Sequence, residues 1–148
     1  TGIEDTEQVS LEEITRLAWG MVGADTDRAA LHIVDSREFE ADPDALQQAL
    51  ENLFENAIEH VGGDVTVEIG TTESGIYVAD TGAGIPEDAR SKVFESGYTT
   101  VAGNTGFGLN IVKQIAVGHG WDVDIVESKD GGTRVEITGI TFQPIVYE

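Results

Sequence analysis

Apolar residues recur at helical spacing in several parts of the chain. The first part runs over residues 11–21 and follows Ser10, which together with Glu13 has the spacing of a capping box. The longest part covers residues 45–61, where one broad apolar face is suited to packing inward. A shorter repeat covers residues 109–117. The pattern therefore predicts about three helices.

Short apolar or alternating segments predict the strands. The segments at 65–69 and 76–79 alternate in the manner of a hairpin, and those at 121–126 and 133–138 are joined by a glycine-rich turn. A short apolar run at 30–34 is suited to one more strand. Strands and helices follow in mixed order, which predicts an α/β (α+β) two-layer sandwich, with a mixed sheet of about five strands packed on about three helices.

The length of 148 residues is that of one ordinary domain, because a chain of this size can bury one sizeable core. We expect a single domain over residues 1–148, with residues 1–9 and 141–148 at its periphery and a weak short helix near 87–93. Because the chain begins at Thr1 rather than Met, we expect it to be a piece of a longer protein. Cysteine is absent, which excludes disulfides and thiolate metal sites.

The balance of charges is strongly acidic. Eight Lys and Arg residues stand against 28 Asp and Glu residues, which gives a formal net charge of −20. Such a surface repels phosphate backbones, so nucleic acid and anionic membranes are poor candidate partners. The acidic residues are scattered over the chain. This fits either an ordinary acidic protein or, as we favour, adaptation to a high-salt cytoplasm.

Two glycine-rich segments invite comparison with the common phosphate-binding loops. A P-loop has a lysine directly after its last glycine, whereas Gly108 is followed by Leu109. The dinucleotide fingerprint has three glycines between a strand and a helix, whereas the segment 82–86 continues through Ile-Pro. Neither loop fits. The helix that starts near Gly108 nevertheless offers N–H groups and a positive dipole end, which together form a site for an anion.

A polar stripe on the longest predicted helix is a candidate for ligand binding. Asn52 and Asn56 are four residues apart, so both amides lie on one face, either as ligands of a hard cation or as solvated side chains. His60 shares this stripe, either stacked near a nucleotide or as an ordinary helix-end histidine. Asp80 follows a strand, where its carboxylate either accepts a hydrogen bond from an exocyclic amine such as that of adenine or starts a turn.

Four motifs containing these residues follow one another along the chain. They are Asn-Leu-Phe-Glu-Asn-Ala at 52–57, Asp-Thr-Gly-Ala-Gly-Ile-Pro at 80–86, Val-Phe-Glu at 93–95 and Gly-Phe-Gly-Leu at 106–109. This series resembles the N, G1, F and G2 boxes of the superfamily that unites gyrase, the heat-shock chaperone ATPases, histidine kinases and the mismatch-repair ATPases. The resemblance to the catalytic domain of sensor histidine kinases extends over residues 10–138. It implies a Bergerat-type fold that binds ATP and Mg²⁺.

The resemblance also implies a role for each matching position. Asn56 would ligate Mg²⁺ with the assistance of Asn52, and these two would be the catalytic residues. Asp80 would bind the amino group of adenine, supported through water by Thr133. The stretch 96–105 would form the lid over ATP. The positions expected to contact the nucleotide are Asp80, Gly82, Gly84, Ile85, Phe94, Thr105, Gly106, Phe107, Gly108, Leu109, Thr133 and His60.

The sequence departs from the pattern of the superfamily in ways that bear on function. Asn52 stands where hydrolytic members have a glutamate that activates water, and an amide cannot accept a proton at neutral pH. Transfer to another acceptor is therefore favoured over hydrolysis. Glu59 stands where many histidine kinases have Lys or Arg facing phosphate, and residues 95–105 contain neither. The phosphate charge would then be met by Mg²⁺, glycine amides, threonine hydroxyls or Lys113.

The histidine that would receive a phosphoryl group is expected outside this chain. His32, His60 and His119 all lack the sequence context of a phosphoacceptor helix, and we assign no role to the first and the last of them. We expect the acceptor on a dimerisation domain upstream of Thr1, with a response regulator as downstream partner. The expected function is transfer of the γ-phosphoryl group of Mg-ATP to that histidine in two-component signal transduction.

Two other functions remain open, namely a nucleotide-sensing module without transferase activity and an ATPase of the same superfamily. The charge balance adds the expectation of a halophilic archaeal source. We expect a cytoplasmic domain with no nucleic-acid partner and no direct membrane contact.

Overall fold

The computed structural model describes residues 5–23, 28–61, 64–80, 107–127 and 132–142. Its helices are α1 (Leu11–Val22), α2 (Pro43–Val61) and α3 (Phe107–Gly118). Its strands are β1 (Glu7–Ser10), β2 (Ala29–Ile33), β3 (Glu38–Ala41), β4 (Val65–Thr71), β5 (Gly75–Asp80), β6 (Asp122–Glu127) and β7 (Thr133–Thr138). The short helix predicted at 87–93 lies outside the described residues.

Five strands form one mixed sheet in the order β2-β4-β5-β7-β6. β2 and β4 are parallel, and the chain between them includes α2, because parallel neighbours need a crossover connection. The other neighbouring pairs in this sheet are antiparallel. The prediction of a two-layer α/β sandwich, with a mixed sheet of about five strands and about three helices, is confirmed.

The core lies between one face of the sheet and the helices. Along β7, Val135 and Ile137 are buried, whereas Arg134 and Glu136 alternate with them and are only half-buried. This period of two is expected of a strand that turns one face to the core. The helix-facing side of the sheet is therefore apolar over most of its length, and a buried polar group on that side needs an explanation.

α2 is the central helix of this core. It packs against α1, α3 and β4. Its apolar face follows the predicted helical period, and its fully buried or nearly buried side chains are Leu46, Ala49, Leu50, Leu53, Phe54 and Ala57. Burial of a leucine or phenylalanine side chain contributes about 1.5–3 kcal/mol, so this face anchors the helix without help from its polar face.

Side chains cap the N-termini of α1 and α2 as the sequence predicts. Ser10 Oγ accepts a hydrogen bond from the backbone N–H of Glu13 at 3.3 Å. Asp42 Oδ1 accepts from the N–H groups of Asp44 and Ala45, at 3.1 and 3.2 Å. Each cap satisfies N–H groups that have no partner inside the helix, and such a cap contributes about 1 kcal/mol.

A second, two-stranded sheet joins segments that the sequence does not predict as strands. β1 and β3 pair antiparallel, with Val9 opposite Phe39. Val9 and Phe39 are buried, and the Phe142 ring meets the Phe39 ring edge-on at 5.8 Å. β1 does not alternate, and β3, Glu-Phe-Glu-Ala, alternates only over the minimum length of four residues. The expectation that residues 1–9 and 141–148 are peripheral is therefore corrected for Val9 and Phe142.

His119, to which the sequence assigns no role, links two helices. Its Nε2 accepts a hydrogen bond from the Asp42 N–H at 3.0 Å, at the start of α2. Its Nδ1 therefore carries the proton and donates to the Ile115 carbonyl in α3 at 2.8 Å. The ring stacks on Trp121 with 4.1 Å between centroids. His119 thus ties the end of α3 to the start of α2.

We predict that His119→Ala lowers the free energy of unfolding by about 2 kcal/mol, because two hydrogen bonds of about 1 kcal/mol each are lost. Urea denaturation followed by circular dichroism measures this change. Val117→Ala is the control, since Val117 is 60% exposed on the same helix, and it should shift the free energy by less than about 0.5 kcal/mol. Equal stability of the two variants would contradict the linking role.

Candidate functional site

The end of β5 and the start of β7 place two polar side chains on the core-facing side of the sheet. Asp80 lies on the same face of β5 as the inward residues Ile76 and Val78, and Thr133 lies on the same face of β7 as Val135. Asp80 and Thr133 are each only 8% exposed. The Thr133 N–H donates a hydrogen bond to Asp80 Oδ1 at 3.2 Å. A carboxylate is thus held in the interior by a backbone donor from the neighbouring strand.

Two polar atoms, one on β7 and one in the middle of α2, are buried without a hydrogen-bond partner among the described residues. They are Thr133 Oγ1 and, on α2, Asn52 Nδ2. An unpaired buried donor or acceptor costs about 1–3 kcal/mol. Folded proteins keep few such groups, and ligand sites are one place where they persist. The described residues therefore mark two candidate parts of a binding site, one at Asp80 and Thr133 and one at Asn52 on α2.

The side-chain amide of Asn56 on α2 is oriented by the backbone carbonyl of Asn52. Asn56 Nδ2 donates a hydrogen bond to the Asn52 carbonyl at 2.7 Å, and both side chains are half-buried. This bond uses the amide nitrogen of Asn56, so Oδ1 remains the atom suited to a cation, which takes oxygen ligands. The sequence prediction that the two residues share one stripe of the helix agrees with this contact.

The charges around these asparagines are mostly negative. Glu55 and Glu59 are exposed on α2, a helix that contains no Lys or Arg. Lys113 is the basic residue of α3. Within the described part of the chain, no group of three or more His, Cys, Asp or Glu side chains is arranged to hold a metal ion. On this stripe of α2, the oxygen atoms that a cation would meet are those of the Asn52 and Asn56 amides.

The start of α3 supplies backbone donors. The helix begins at Phe107, two residues before the predicted start, so Gly108 lies in its first turn. The first N–H groups of a helix have no partner within it, and the dipole there favours an anion. Leu109 is buried, which anchors this turn to the core.

Several predicted site positions lie outside the described residues. These are Gly82, Gly84, Ile85, Phe94, Thr105 and Gly106, together with the predicted lid at 96–105. The side chains of His60 and Phe107 also fall outside the description, although their backbones belong to α2 and α3. Gly132 is a site neighbour that the sequence analysis did not single out. It is buried and directly precedes Thr133, a predicted site residue. That position in the sequence is the signal that could have identified it.

The opposite face of the sheet carries the one strongly perturbed titratable group among the described residues. The Tyr77 hydroxyl donates to Glu68 Oε2 at 2.8 Å, and the Arg134 guanidinium lies 3.9 Å from the centre of the Tyr77 ring. Burial, and then the hydrogen bond to Glu68, raise the pKa of Tyr77 to about 12. Tyr77 stays protonated at neutral pH and stabilises the sheet from the side away from Asp80.

Comparison with known proteins agrees with this arrangement. Residues 41–142 match the family described as histidine kinase-, DNA gyrase B-, and HSP90-like ATPase, and the chain belongs to that family. It is 38% identical over 101 residues to the sensor histidine kinase ZraS of Escherichia coli O157:H7, covering 66% of this chain and 22% of that protein. It is 37% identical over 113 residues to the sensor histidine kinase WalK of Bacillus subtilis, covering 67% and 18%.

Solved structures share the fold over nearly the whole chain. The mycobacterial sensor histidine kinase MprB has a TM-score of 0.79 at 23% identity, covering 95% of this chain and 100% of that one. The ATP-binding domain of PrrB from Mycobacterium tuberculosis has a TM-score of 0.72 at 25% identity, with the same coverages. Within its family, the chain is a catalytic domain of the sensor histidine kinase type.

The chain spans about a fifth of the length of the curated relatives ZraS and WalK. None of the helices described here is long and apolar enough to cross a membrane.

We predict opposite effects on stability and binding when the unpartnered hydroxyl of the site is removed. Thr133→Val keeps the shape of the side chain and deletes the buried Oγ1, so the ligand-free domain should gain about 1 kcal/mol in the free energy of unfolding. Its affinity for ATP should fall. Thermal denaturation and isothermal titration calorimetry measure the two quantities.

Thr15→Val is the matched control, because Thr15 in α1 is fully buried and its Oγ1 also has no partner among the described residues. It should stabilise the domain by a similar amount and leave ATP affinity unchanged. A Thr133→Val variant that binds ATP as tightly as the parent would show that the hydroxyl belongs to the core rather than to the site.

Proposed function

We propose that the chain binds Mg-ATP between α2 and the ends of β5 and β7 that carry Asp80 and Thr133. It then transfers the γ-phosphoryl group to a histidine on a separate dimerisation domain of the same protein. The observation that carries this proposal is the buried pair of Asp80 and Thr133, in which the Thr133 hydroxyl has no hydrogen-bond partner among the described residues. The relatives named as sensor histidine kinases support the reaction class. A downstream response regulator and a cytoplasmic location follow from the same proposal.

The adenine base is proposed to bind at Asp80. One carboxylate oxygen accepts from the Thr133 N–H, and a carboxylate can accept a further hydrogen bond from the exocyclic amine of adenine. Thr133 Oγ1 would reach the base through a water molecule. Buried polar groups that are paired only when the correct ligand binds discriminate strongly between ligands. In the same proposal Gly82, Gly84 and Ile85 border the base.

The magnesium ion is proposed to bind at Asn56. Its Oδ1 is a hard oxygen ligand, and the bond from Nδ2 to the Asn52 carbonyl fixes the amide. Mg²⁺ keeps several waters and is usually bound through few protein ligands plus substrate phosphates, which fits a site without a carboxylate cage. When bound, the ion neutralises charge on the phosphates, so this chain has mainly to position the nucleotide.

The phosphates are proposed to meet the first turn of α3. Gly106 and Gly108 would offer backbone N–H groups there, and Phe107 and Leu109 would hold the turn in place. Two further positions, Phe94 and Thr105, would border the lid. In this arrangement His60 would stack beside the nucleotide.

Transfer is proposed rather than hydrolysis because of the group at position 52. Asn52 is an amide, which cannot take a proton from water at neutral pH. The alternative of a nucleotide sensor without transferase activity draws on the acidic surface of α2, where Glu55 and Glu59 are exposed near Asn56. Phosphorylation of an added dimerisation domain separates transfer from sensing.

We predict that Asn56→Ala keeps the domain folded and lowers Mg-dependent affinity for ATP by more than about tenfold, since loss of even a group that orients a metal ligand has such an effect. The apolar face of α2 is untouched by this change, so the melting temperature should hold. Calorimetric titration with ATP, with and without Mg²⁺, measures the affinity, and radiolabelled ATP with the dimerisation domain measures transfer.

Gln48→Ala is the control for this experiment, because Gln48 is an exposed amide on the same helix, two turns before Asn56. It should leave both binding and transfer unchanged. An Asn56→Ala variant that binds Mg-ATP and phosphorylates the acceptor at the parental rate would exclude the proposed magnesium site.

The acidic surface is proposed to be an adaptation to high salt, in keeping with a halophilic archaeal source. The net charge of −20 on 148 residues opposes the compact state through self-repulsion. Three ion pairs join described residues to one another. In two of them, Arg16–Glu12 and Arg28–Asp64, at least one side chain is more than half exposed. Such pairs contribute little, so repulsion is relieved mainly by dissolved ions.

We predict that the free energy of unfolding rises as KCl is raised from about 0.1 M to about 2 M, because the screening length falls from about 10 Å to below about 3 Å over that range. Urea denaturation at each KCl concentration measures the change. A parallel series in sucrose controls for general effects of an excluded cosolute. Stability that is constant or falls with KCl would exclude salt adaptation and leave the nucleotide site untouched.

A further inference from the structure

Gly132 allows β7 to begin directly against the last residue of β5. A Cβ built at Gly132 would lie 1.9 Å from the Asp80 carbonyl oxygen and 2.9 Å from Asp80 Oδ1. The first distance is incompatible with a side chain unless the backbone moves, and the second would displace the Asp80 carboxylate. The described glycines that need a left-handed backbone are Gly23, Gly120 and Gly139. A glycine is therefore needed at position 132 because a Cβ would not fit there, and not because the backbone is left-handed.

The close approach determines how the carboxylate of Asp80 is held. Thr133 follows Gly132, and its N–H donates to Asp80 Oδ1 at 3.2 Å. This distance is already at the long end of the range for an N–H···O bond. If a side chain at 132 displaced the start of β7 by several tenths of an ångström, the bond would be lost. The carboxylate would then lose the backbone donor that orients Oδ1.

We infer that Gly132 is a positioning residue for base recognition: it lets the Thr133 N–H fix the Asp80 carboxylate in the orientation that reads the amino group of adenine. This inference rests on the proposed binding of adenine at Asp80. Gly132 acts through Asp80 and need not touch the ligand. A site held in advance loses no binding energy in ordering its groups, so a carboxylate that has lost this donor discriminates less between bases.

The same two strands provide a matched control at their other end. A Cβ built at Gly75, the first residue of β5, would lie 1.7 Å from the Ile137 carbonyl oxygen of β7. Gly75 also has no left-handed backbone. Gly75→Ala therefore strains the β5–β7 pair in the same manner as Gly132→Ala, but at the end of β5 remote from Asp80. General damage to the sheet and local loss of carboxylate positioning can thus be told apart.

The experiment compares two probes on the full 148-residue chain, namely ATP and the purine riboside triphosphate that lacks only the 6-amino group. The readout is the ratio of their dissociation constants, measured by calorimetry in Mg²⁺. A smaller folded fraction weakens both probes by the same factor and leaves the ratio unchanged. The parent should prefer ATP by about tenfold or more, the effect of a hydrogen bond to a charged group.

We predict that Gly132→Ala brings this ratio close to one, whereas Gly75→Ala keeps the parental ratio even if it lowers the melting temperature. In the background of Asp80→Asn, Gly132→Ala should change the ratio no further, because it acts through the carboxylate. Should Gly132→Ala yield no folded protein, Thr133→Pro deletes the same N–H donor at the first residue of β7, where proline is tolerated. Thr133→Pro should then lower the ratio further than Thr133→Val, which also lacks the hydroxyl but keeps the N–H.

The outcomes separate this inference from the function on which it rests. A parent that does not distinguish the two probes would refute adenine recognition at Asp80. A parent that prefers ATP, with a Gly132→Ala variant that keeps the full preference, would refute the positioning role alone. Equal loss of preference in Gly132→Ala and Gly75→Ala would also refute it, because the effect would then belong to the strand pair as a whole.

Discussion

The pairing of β5 with β7 is the constraint on which the site depends. These strands are neighbours in the sheet although α3 and β6 lie between them in the chain. The pairing brings Thr133 to Asp80 across 53 positions of sequence. It also places β6 at the edge of the sheet and gives α3 a surface on which to pack. Without this pairing Asp80 and Thr133 would not meet.

α2 meets two demands that compete in most helices. Its apolar side is buried deeply enough to hold the helix in the core, while its polar side carries Asn52 and Asn56, the proposed cation ligands. Asparagine is a poor helix former, and a buried amide without a partner lowers stability. The burial of Leu50 and Phe54 offsets both effects. Stability and binding are thus supplied by different faces of one helix.

The elements that sequence reasoning recovered are those with strong local signals. α2 has a long apolar repeat, and the β4–β5 and β6–β7 hairpins have alternation with turns between them. What it missed depends on contacts between distant positions. His119 meets the backbone of Asp42 across 77 positions, and Gly132 is shaped by the Asp80 carbonyl. β1 is defined only by its partner strand. In the candidate site, the pairing of Asp80 with Thr133 is likewise a tertiary contact that no local period encodes.

The hydrogen bonds of His119 hold α2 and α3 together at one end, which acts as a pivot for the two helices. It joins the last turn of α3 to Asp42, the residue directly before α2. The two helices pack along each other from that point. The ends of α2 and α3 that carry Asn56 and Gly108 lie away from the link. A helix of 12 residues such as α3 is about 18 Å long, so a rotation of about 5° at the pivot moves its far end by about 1.5 Å. The distance between the ends of α2 and α3 that carry Asn56 and Gly108 therefore depends on an angle set at the opposite ends of the two helices.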